Sequence, residues 1–268
     1  GQAMAAAAAG TMTVALDTNS PGYTIVQAGK TNAELSRIKF VASNEDIDLR
    51  QVALELNSVA SNTPTDLVGR KVTLWDTSGV QVGEATFSTS DFATSSAIAV
   101  GNFRIPRNGD KVLIVKGDIA AISVSGPLTR SGDLLYVDWD ADNKGLNGTY
   151  GVGVSSGNTV GDTASEISGS DTASKGVRIM FAYPSLAKLS IPSTSLQVGN
   201  ESQKALYRFS VTANHGDVAL YKWTFTVVSS SVKATTSAYG LYVFTDSSFS
   251  TADSAFTSDG LINYGNCI

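Results

Sequence analysis

Apolar and polar residues alternate along much of the chain, which is the pattern of half-buried β-strands. In the stretch ELSRIKFVA, residues 34–42, the apolar residues Ile38, Phe40 and Ala42 stand at every second position. Alternate side chains of a strand point to the same face, so this period of two predicts a strand with one buried face. Short runs of Asn, Asp and Gly, such as SNED at 43–46, separate such stretches and are typical of turns. No convincing amphipathic helix is present, and the predicted fold class is all-β.

Many short strands joined by polar turns favour packed antiparallel sheets, arranged as an Ig-like β-sandwich. The predicted strands lie near 11–17, 23–27, 34–42, 49–57, 70–75, 80–87, 96–104, 111–116, 119–125, 132–139, 176–182, 186–191, 194–198, 205–213, 218–228 and 238–245.

The chain contains an internal repeat. The stretch ELSRIKFVASNEDIDL at 34–49 aligns with ALYRFSVTANHGDVAL at 205–220, and the separation is 171 positions, as between Ile38 and Phe209 (209 − 38). Each copy carries a strand, a turn and a second strand. A second pair of matching stretches, VTLWDTSG and LYVFTDSS, follows in the same order. This agreement in order predicts tandem β-sandwich domains.

The repeat divides the chain into a leader and two domains. An alanine-rich leader covers 1–10, a first β-sandwich 11–183, and a second, shorter or incomplete repeat 184–268. Residues 155–175 contain few apolar residues and predict a long exposed loop within the first domain. The leader is either the end of a processed export signal or a flexible segment. The short second repeat closes with fewer strands, belongs to a longer array, or is completed by a strand from another molecule.

Composition and charge exclude some partners. The net charge is −5 with a pI near 4.9, and no basic run is present that would favour nucleic acid or anionic lipid. The sequence contains no run of 18 apolar residues, so no transmembrane helix is predicted. Only 16% of the residues are charged, which is below the roughly 25% of an ordinary soluble domain. A weakly charged surface rich in Ser, Thr and Gly is typical of extracellular β-proteins and stable assemblies. The single cysteine, Cys267, permits no internal disulfide.

One acidic segment is a candidate metal site. In DWDADNKG, residues 138–145, Asp138, Asp140 and Asp142 alternate, so their carboxylates would share one face of an extended strand. Calcium prefers such oxygen ligands. The match to a calcium-binding loop of the EF-hand type is partial, because the sixth position is Asn143 rather than glycine. The alternative is a solvated strand end that runs into a turn.

No pattern of catalytic residues emerges. His215, the only histidine, lies in the turn of the second copy, and no G-x-S-x-G, H-E-x-x-H or C-x-x-C motif occurs. Glycoside hydrolysis by a pair of carboxylates is an alternative, although the sequence marks no particular pair of acidic residues. Asp46 and its repeat partner Asp217 are predicted to cap their turns. The chain is therefore expected not to be an enzyme.

Two N-x-S/T sequons lie in predicted turns, at Asn147 and Asn200. Both are candidate glycosylation sites. The alternative is that short sequons arise by chance.

The stretches AGKTNAELSRIKFVASNEDIDLRQVALEL, LLYVDWDADN and KGVRIMFAYPSLAKLSIPSTSL resemble β-sandwich repeat modules of large bacterial cell-surface and S-layer-like proteins. The resemblance starts near Thr11 and covers most of the chain. It implies a structural role in tandem sandwiches displayed outside the cell, in self-associating coats or fibres. It supplies no catalytic residue.

The function expected from these observations is that of an extracellular structural protein that assembles with itself into a surface layer or filament, with calcium as a candidate bridging ion. A donor strand for this assembly is predicted in the N-terminal stretch TMTVALD. Its candidate residues are Thr11, Met12, Val14 and Leu16. The alternatives are an adhesin or carbohydrate-binding module that recognises surface glycans and, less favoured, a carboxylate-pair hydrolase.

Overall fold

The computed structural model describes residues 9–57, 61–88, 90–122, 131–161, 166–191, 204–228 and 239–262. The chain divides into two compact units between Phe181 and Ala182. Apart from one 3₁₀ turn at Pro64–Asp66, every regular element in these ranges is a strand, so the all-β fold class is confirmed. The same ranges contain no helix that is long and apolar enough to cross a membrane.

The first unit consists of short strands that follow one another along the chain. They are β1 (Thr11–Leu16), β2 (Thr24–Gln27), β3 (Ala33–Ser43), β4 (Ile47–Gln51), β5 (Ala53–Glu55), β6 (Leu67–Trp75), β7 (Gln81–Thr86), β8 (Phe92–Thr94), β9 (Arg104–Ile105), β10 (Asp110–Ile119), β11 (Leu134–Leu135), β12 (Asp138–Trp139), β13 (Tyr150–Gly153), β14 (Thr159–Val160), β15 (Ile167–Ser168) and β16 (Val177–Met180).

These strands form one large sheet and three small ones. The large sheet has the order β15-β1-β3-β10-β6-β7, and the small sheets have the orders β11-β16-β2, β12-β5-β8 and β14-β13-β4-β9. Most pairs are antiparallel, as the sequence predicts, but β1 pairs with β15 and β2 with β16 in parallel. Each of these two parallel pairs joins strands that are far apart in the chain. The short strands near the end of the first unit therefore close sheets that begin at its start.

All four sheets contribute to one hydrophobic core, which gives the unit a sandwich-like character. In β3, Ile38, Phe40 and Ala42 are fully buried, as their alternation predicts. Burying one large apolar side chain contributes about 2 kcal/mol. Trp139 and Phe103 are also fully buried, so the core draws on segments more than 100 positions apart. The large sheet and the small sheets thus stabilise one another through shared apolar contacts.

The second unit begins with a hairpin-like pair that repeats the β1–β3 ladder. Its strands β17 (Tyr183–Leu189) and β18 (Arg208–Asn214) are antiparallel. Leu186 lies opposite Val211, just as Val14 lies opposite Phe40 in the first unit. Five of the other six pairs of the second ladder correspond in the same way to a pair of the first, and the sixth, Leu189 opposite Arg208, extends the ladder by one residue. The internal repeat is therefore a repeat of strand pairing.

The turn after β3 recurs after β18. Asn44 has φ 72° and His215 has φ 63°, so both adopt the left-handed conformation that few non-glycine residues take. The two residues are 171 positions apart (215 − 44), which is the separation of the aligned strands. His215 therefore occupies a structural turn position, and its ring lies 6.3 Å from the ring of Tyr183.

A second turn is also duplicated. Asp76 Oδ1 accepts hydrogen bonds from the N–H and hydroxyl of Ser78 and from the N–H of Val80. Asp246 Oδ1 accepts the corresponding bonds from Ser248 and Ser250. The serine hydroxyl bond, followed by backbone N–H bonds, lowers the pKa of both aspartates. The two aspartates are 170 positions apart (246 − 76), which is one fewer than the separation of the aligned strands β3 and β18.

The two units differ in burial. Every buried apolar residue of the described chain belongs to the first unit. The second unit instead exposes a series of large apolar side chains, which is the main physical difference between the copies. These are Leu186, Leu206, Tyr207, Val211, Leu220, Tyr221, Phe225, Val227, Val228, Tyr239 and Phe256.

The structure departs from the predicted elements in four places, and the predicted strand 194–198 lies outside the described residues. In the predicted strand 238–245, the described residues form only isolated bridges, at Tyr242 and Phe244. Residues 96–104 are not a ladder strand, because a turn with Gly101 at φ 81° interrupts them, although Ile98 and Phe103 are buried. The described part of 155–175 is not simply an exposed loop, since it contains β14 and β15 and buries Ile167 completely. Residues 218–228 form no ladder with any described strand.

We expect the first unit to fold without the second. Its core is contained entirely within residues 12–179, so a chain ending at Phe181 should unfold within about 3 °C of the corresponding transition of the full chain, a difference below about 1 kcal/mol. Differential scanning calorimetry of both chains measures this. Loss of the cooperative transition in the shorter chain would show that the core needs the second unit.

Candidate carboxylate site

The acidic segment selected from the sequence lies where β12 pairs with β5. Asp138 stands directly opposite Glu55, and Trp139 opposite Leu54. Side chains opposite each other in an antiparallel pair lie on the same face. Leu54 and Trp139 are fully buried in the core, so Glu55 and Asp138 lie on the other face of this small sheet. The ladder thus brings two carboxyl groups together.

Asp138 is a buried hydrogen-bond acceptor. Its carboxylate accepts bonds from Thr172 Oγ1 at 3.0 Å, Ser174 N at 2.8 Å and Ser174 Oγ at 3.3 Å. Thr172 Oγ1 in turn accepts the N–H of Trp139 at 2.9 Å. Burial raises the pKa of Asp138, although these hydrogen bonds oppose the shift. Asp138 therefore fastens the segment around residue 172 onto β12.

Asp140 and its neighbours organise the turn that follows. Asp140 Oδ1 accepts the N–H groups of Asp142 and Asn143, both at 3.0 Å. Asp171 Oδ1 accepts the N–H of Ala141 at 2.8 Å. Burial, and then the charges of Asp171 and Asp142, raise the pKa of Asp140. The two bonds that Asp140 accepts are of the Asx-turn type, in which a carboxylate replaces a backbone carbonyl, whereas the bond to Asp171 joins two distant segments.

The pKa of Glu55 depends on its burial and on the charges of the neighbouring carboxylates. Burial raises its pKa, and the nearby carboxylates of Asp171, Asp140, Asp138 and Asp142 raise it further, to about 7. We call these five residues the acidic cluster. Its members interact electrostatically, and the pKa of Glu55 lies near neutral pH.

The shared ligand face expected for Asp138, Asp140 and Asp142 does not form. β12 ends at Trp139, and the chain then turns, so the strand alternation stops after the first aspartate. Asp138 and Asp140 are directed to protein donors, and Asp142 is exposed. Within the described ranges, no group of three His, Cys, Asp or Glu side chains is placed to hold a metal ion.

The sequon at Asn147 lies beside the cluster. Asn147 is exposed and lines an open depression together with Asp142, Lys144 and Leu146. Thr149 of the same sequon is fully buried, and its Oγ1 accepts the N–H of Ala53 and the indole N–H of Trp139, both at 2.9 Å. These two bonds give Thr149 a structural role. The other sequon, at Asn200, and Cys267 lie outside the described residues.

The candidate donor strand lies within its own unit. Thr11, Met12, Val14 and Leu16 form β1, which pairs with β3 on one side and β15 on the other. Met12 and Val14 are buried in the core of the first unit. Donation of this strand to another molecule would require it to leave both neighbours.

Sequence reasoning missed an important carboxylate at Glu45. Its side chain is buried and accepts bonds from Gly10 N at 3.2 Å, Ser155 N at 3.0 Å, Ser156 N at 2.9 Å and Ser156 Oγ at 2.8 Å. Burial alone would raise the pKa of Glu45, but the bonds from Ser156, Ser155 and Gly10 together lower it. Ser155 is 110 positions away, so no local pattern marks this contact.

The neighbouring acidic residues also act over long range. Asp46 Oδ1 accepts the N–H of Arg107 at 2.7 Å, so it ties two distant segments together in addition to standing in a turn. Asp48 forms a bidentate pair with Arg104 at 2.8 and 2.9 Å, and this partner lowers the pKa of Asp48. The acidic stretch after β3 is thus a set of structural anchors.

No protein-family model matches this chain, and no curated protein matches it.

We expect Glu55 to destabilise the fold as pH rises. Its pKa in the folded chain is about 7, against 4.5 for the ordinary group, so the folded state holds more protons between these values and stability falls as pH rises through this window. Because Glu55 is partly solvated, we expect Glu55→Gln to increase stability at pH 8 by only about 1 kcal/mol, with little effect at pH 4.5. Urea unfolding at both pH values measures this. An equal gain at both would exclude the charge as its cause.

We expect Thr149→Val to destabilise the first unit strongly. Valine preserves the shape but leaves two buried N–H groups unpaired, which costs about 2–4 kcal/mol and lowers Tm by roughly 5–10 °C. Thr149→Ser is the matched control, since it keeps the acceptor and loses only a methyl group, at a cost of about 1 kcal/mol. Thermal unfolding followed by tryptophan fluorescence compares the two. Equal losses in both variants would contradict a role for the hydroxyl.

Proposed function

We propose that this chain is a non-enzymatic extracellular structural protein, built from tandem Ig-like β-sandwich modules, that assembles with copies of itself into a surface layer or filament. The observation that carries this proposal is the contrast between the two units. The same strand pairing occurs twice, yet only the first copy buries its apolar side chains.

The exposed apolar residues of the second unit favour assembly. Phe225 and Val227 are 49% and 58% exposed, and Tyr221 is fully exposed. Covering apolar surface contributes about 25 cal/mol per Å², so a partner that covers these side chains would stabilise an assembly. In the aligned first copy, Leu54 at the position of Phe225 is completely buried. A partner would therefore cover the side chains that the first copy covers internally.

The composition of the surface and the resemblance to cell-surface modules support the proposed extracellular location. Few charged residues and many small polar ones suit a protein that packs against its own copies outside the cell. Low net charge per area limits the electrostatic repulsion between identical molecules. Exchange of β1 between molecules remains part of the proposal as one route to a filament.

Calcium is the proposed bridging ion, and the acidic cluster is where it would bind. A cation there would relieve the mutual repulsion that raises the pKa of Glu55. Glu55 and Asp142 have the oxygen donors that suit calcium, whereas Asp138 would have to give up hydrogen bonds to Thr172 and Ser174. The fit of the three predicted aspartates is thus partial.

A second candidate function is glycan binding, as in an adhesin or carbohydrate-binding module. A cluster of aromatic rings in the second unit favours it: Phe209 lies 5.6 Å from Tyr207, 5.1 Å from Trp223 and 6.0 Å from Phe225, measured between ring centroids. Partly exposed aromatic faces can stack on sugars. This candidate predicts a stable monomer that retains a glycan on an array.

The hydrolase alternative has less support. It would need Glu55, whose pKa near 7 suits a general acid, together with a second carboxylate free to act. Asp138, which stands opposite Glu55, is buried and bonded to Thr172 and Ser174. The second carboxylate of this pair is therefore engaged in holding the fold.

We expect the purified full chain to form oligomers or ordered assemblies that depend on the second unit. Val227→Ser removes an exposed apolar side chain from that unit and should weaken assembly several-fold. Val68→Ser is the matched control, because Val68 in the first unit is the same residue type and is 54% exposed, against 58% for Val227. Light scattering after size-exclusion chromatography, with electron microscopy, measures assembly.

Repeating the experiment in calcium and in excess chelator tests the ion separately. Assembly lost in chelator and restored by calcium supports calcium, and Asp142→Asn should then reduce the calcium response. Assembly that is unchanged in chelator removes calcium from the proposal. A chain that is monomeric under all conditions contradicts self-assembly and favours glycan binding, which the glycan array then tests.

A further inference from the structure

Within the described ranges, strand β18 has one paired edge and one edge without a partner, which we call its open edge. In the described part of the chain, its only ladder partner is β17. Its counterpart β3 has two partners, β1 on one side and β10 on the other. The open edge of β18 therefore corresponds to the edge that β10 covers in the first unit. An unpaired strand edge is a ready template for another strand.

The repeat identifies the backbone groups on the open edge. In β3 the N–H of Ala42 points to the β10 side, where it bonds Gly109 O at 3.0 Å. Backbone groups of alternate residues point to the same edge of a strand, so those of Ile38 and Phe40 point there as well. Because the ladders share one register, the groups on the open edge of β18 belong to Phe209, Val211 and Ala213.

The other outer edge of the hairpin is protected, whereas this one is not. β17 carries Pro184 and Lys188. Pro184 occupies the position of Met12, whose N–H points away from β3 to Glu166 O, so the proline removes a donor from the outer edge of β17. Proline and lysine are the residues by which natural sheets block edge pairing. The open edge of β18 has neither.

The sequence of β18 is compatible with pairing to itself. In an antiparallel pair centred on Val211, Val211 would face its own copy, Phe209 would face Ala213, and the one charged residue, Arg208, would face Asn214. No like charges stand opposite each other, and a bulky ring meets a small side chain. The pair would place Phe209, Val211 and Ala213 of both molecules on one face. Their counterparts Ile38, Phe40 and Ala42 form the core face of β3.

We infer that the open edge of β18 is one contact between copies of this chain, through antiparallel β18–β18 pairing about a two-fold axis. This inference rests on the proposed self-assembly and names one of the contacts that it needs; growth of the dimer into a layer or filament uses a second contact, such as the exposed apolar residues Phe225 and Val227. A two-fold edge pair is closed, and the protected edge of β17 prevents the sheet from growing further on that side. Three residues on each strand supply about six backbone hydrogen bonds.

Hydrogen exchange distinguishes this contact from any other. As protein concentration rises, the amides of Phe209, Val211 and Ala213 should become protected together with oligomer formation. The amides of Ser210 and Thr212 point to β17 and should be protected at every concentration. Oligomers without added protection at the three open-edge amides would overturn this inference and leave the proposed self-assembly standing. A chain that stays monomeric would overturn both.

Substitution at Val211 gives the second test. Val211→Pro removes the central N–H of both copies, and we expect dimerisation to weaken by at least about tenfold. Val211→Lys keeps the backbone donor but places two ammonium groups opposite each other, so its defect should shrink in high salt. Val211→Thr is the matched control, since it is β-branched, neutral and retains the N–H.

The variants are compared by sedimentation velocity on the full chain. Protection of Ser210 and Thr212 shows that the β17–β18 pair is intact in each variant. Dimerisation retained in the threonine variant and lost in the lysine variant supports β18 pairing. Dimerisation of the lysine variant at wild-type strength in low salt would overturn it.

Discussion

The central ladder of the first unit, in which β3 is hydrogen-bonded to β1 and β10, is the interaction on which the other sheets depend. β3 is the longest strand, and its buried face of Ile38, Phe40 and Ala42 is the surface on which the core is built. The strands that follow it, β4 and β5, anchor two of the small sheets. A shift of one residue in this ladder would turn the apolar face of β3 to solvent. The described residues of the second unit repeat only the half of this interaction between β17 and β18, and the large apolar side chains of that unit are exposed.

The local sequence pattern was sufficient to predict β3, the turns that separate the strands and the internal repeat. The alternation of Ile38 and Phe40 identifies the strand and its buried face, and the matching turn residues Asn44 and His215 mark the duplicated unit. The local pattern did not predict burial where a residue is covered by segments that are distant in the chain. Ile167 is isolated in a polar stretch, yet it is completely buried because β15 adds to the edge of β1 in parallel. Such a pairing has no signature in the residues near it.

The carboxylates also have contacts that their spacing in the sequence does not predict. Spacing placed Asp138, Asp140 and Asp142 together, but each side chain is directed by its own hydrogen bonds, to Ser174 or to the turn that follows β12. Glu45 looked like one member of an acidic turn and instead joins segments 35 and 111 positions away. Acidic residues in this fold mostly accept backbone N–H groups that no sheet satisfies, and they thereby replace regular secondary structure in its long connections.

The changing separation between the two copies has a further consequence. Corresponding residues are 172 positions apart in β1 and β17, as for Val14 and Leu186 (186 − 14), 171 apart in β3 and β18, and 170 apart at Asp76 and Asp246. Each of the two intervening connections is thus one residue shorter in the second copy, while strand register and turn conformation are kept. In the first unit these connections contain β2, β4, β5 and β6, which are themselves paired, so the two length differences show only that the repeated ladder and its turns keep their own lengths. Foreign peptides or labels are accordingly best introduced in the unpaired loops of these connections, where they displace neither the repeated ladder nor the strands between its parts.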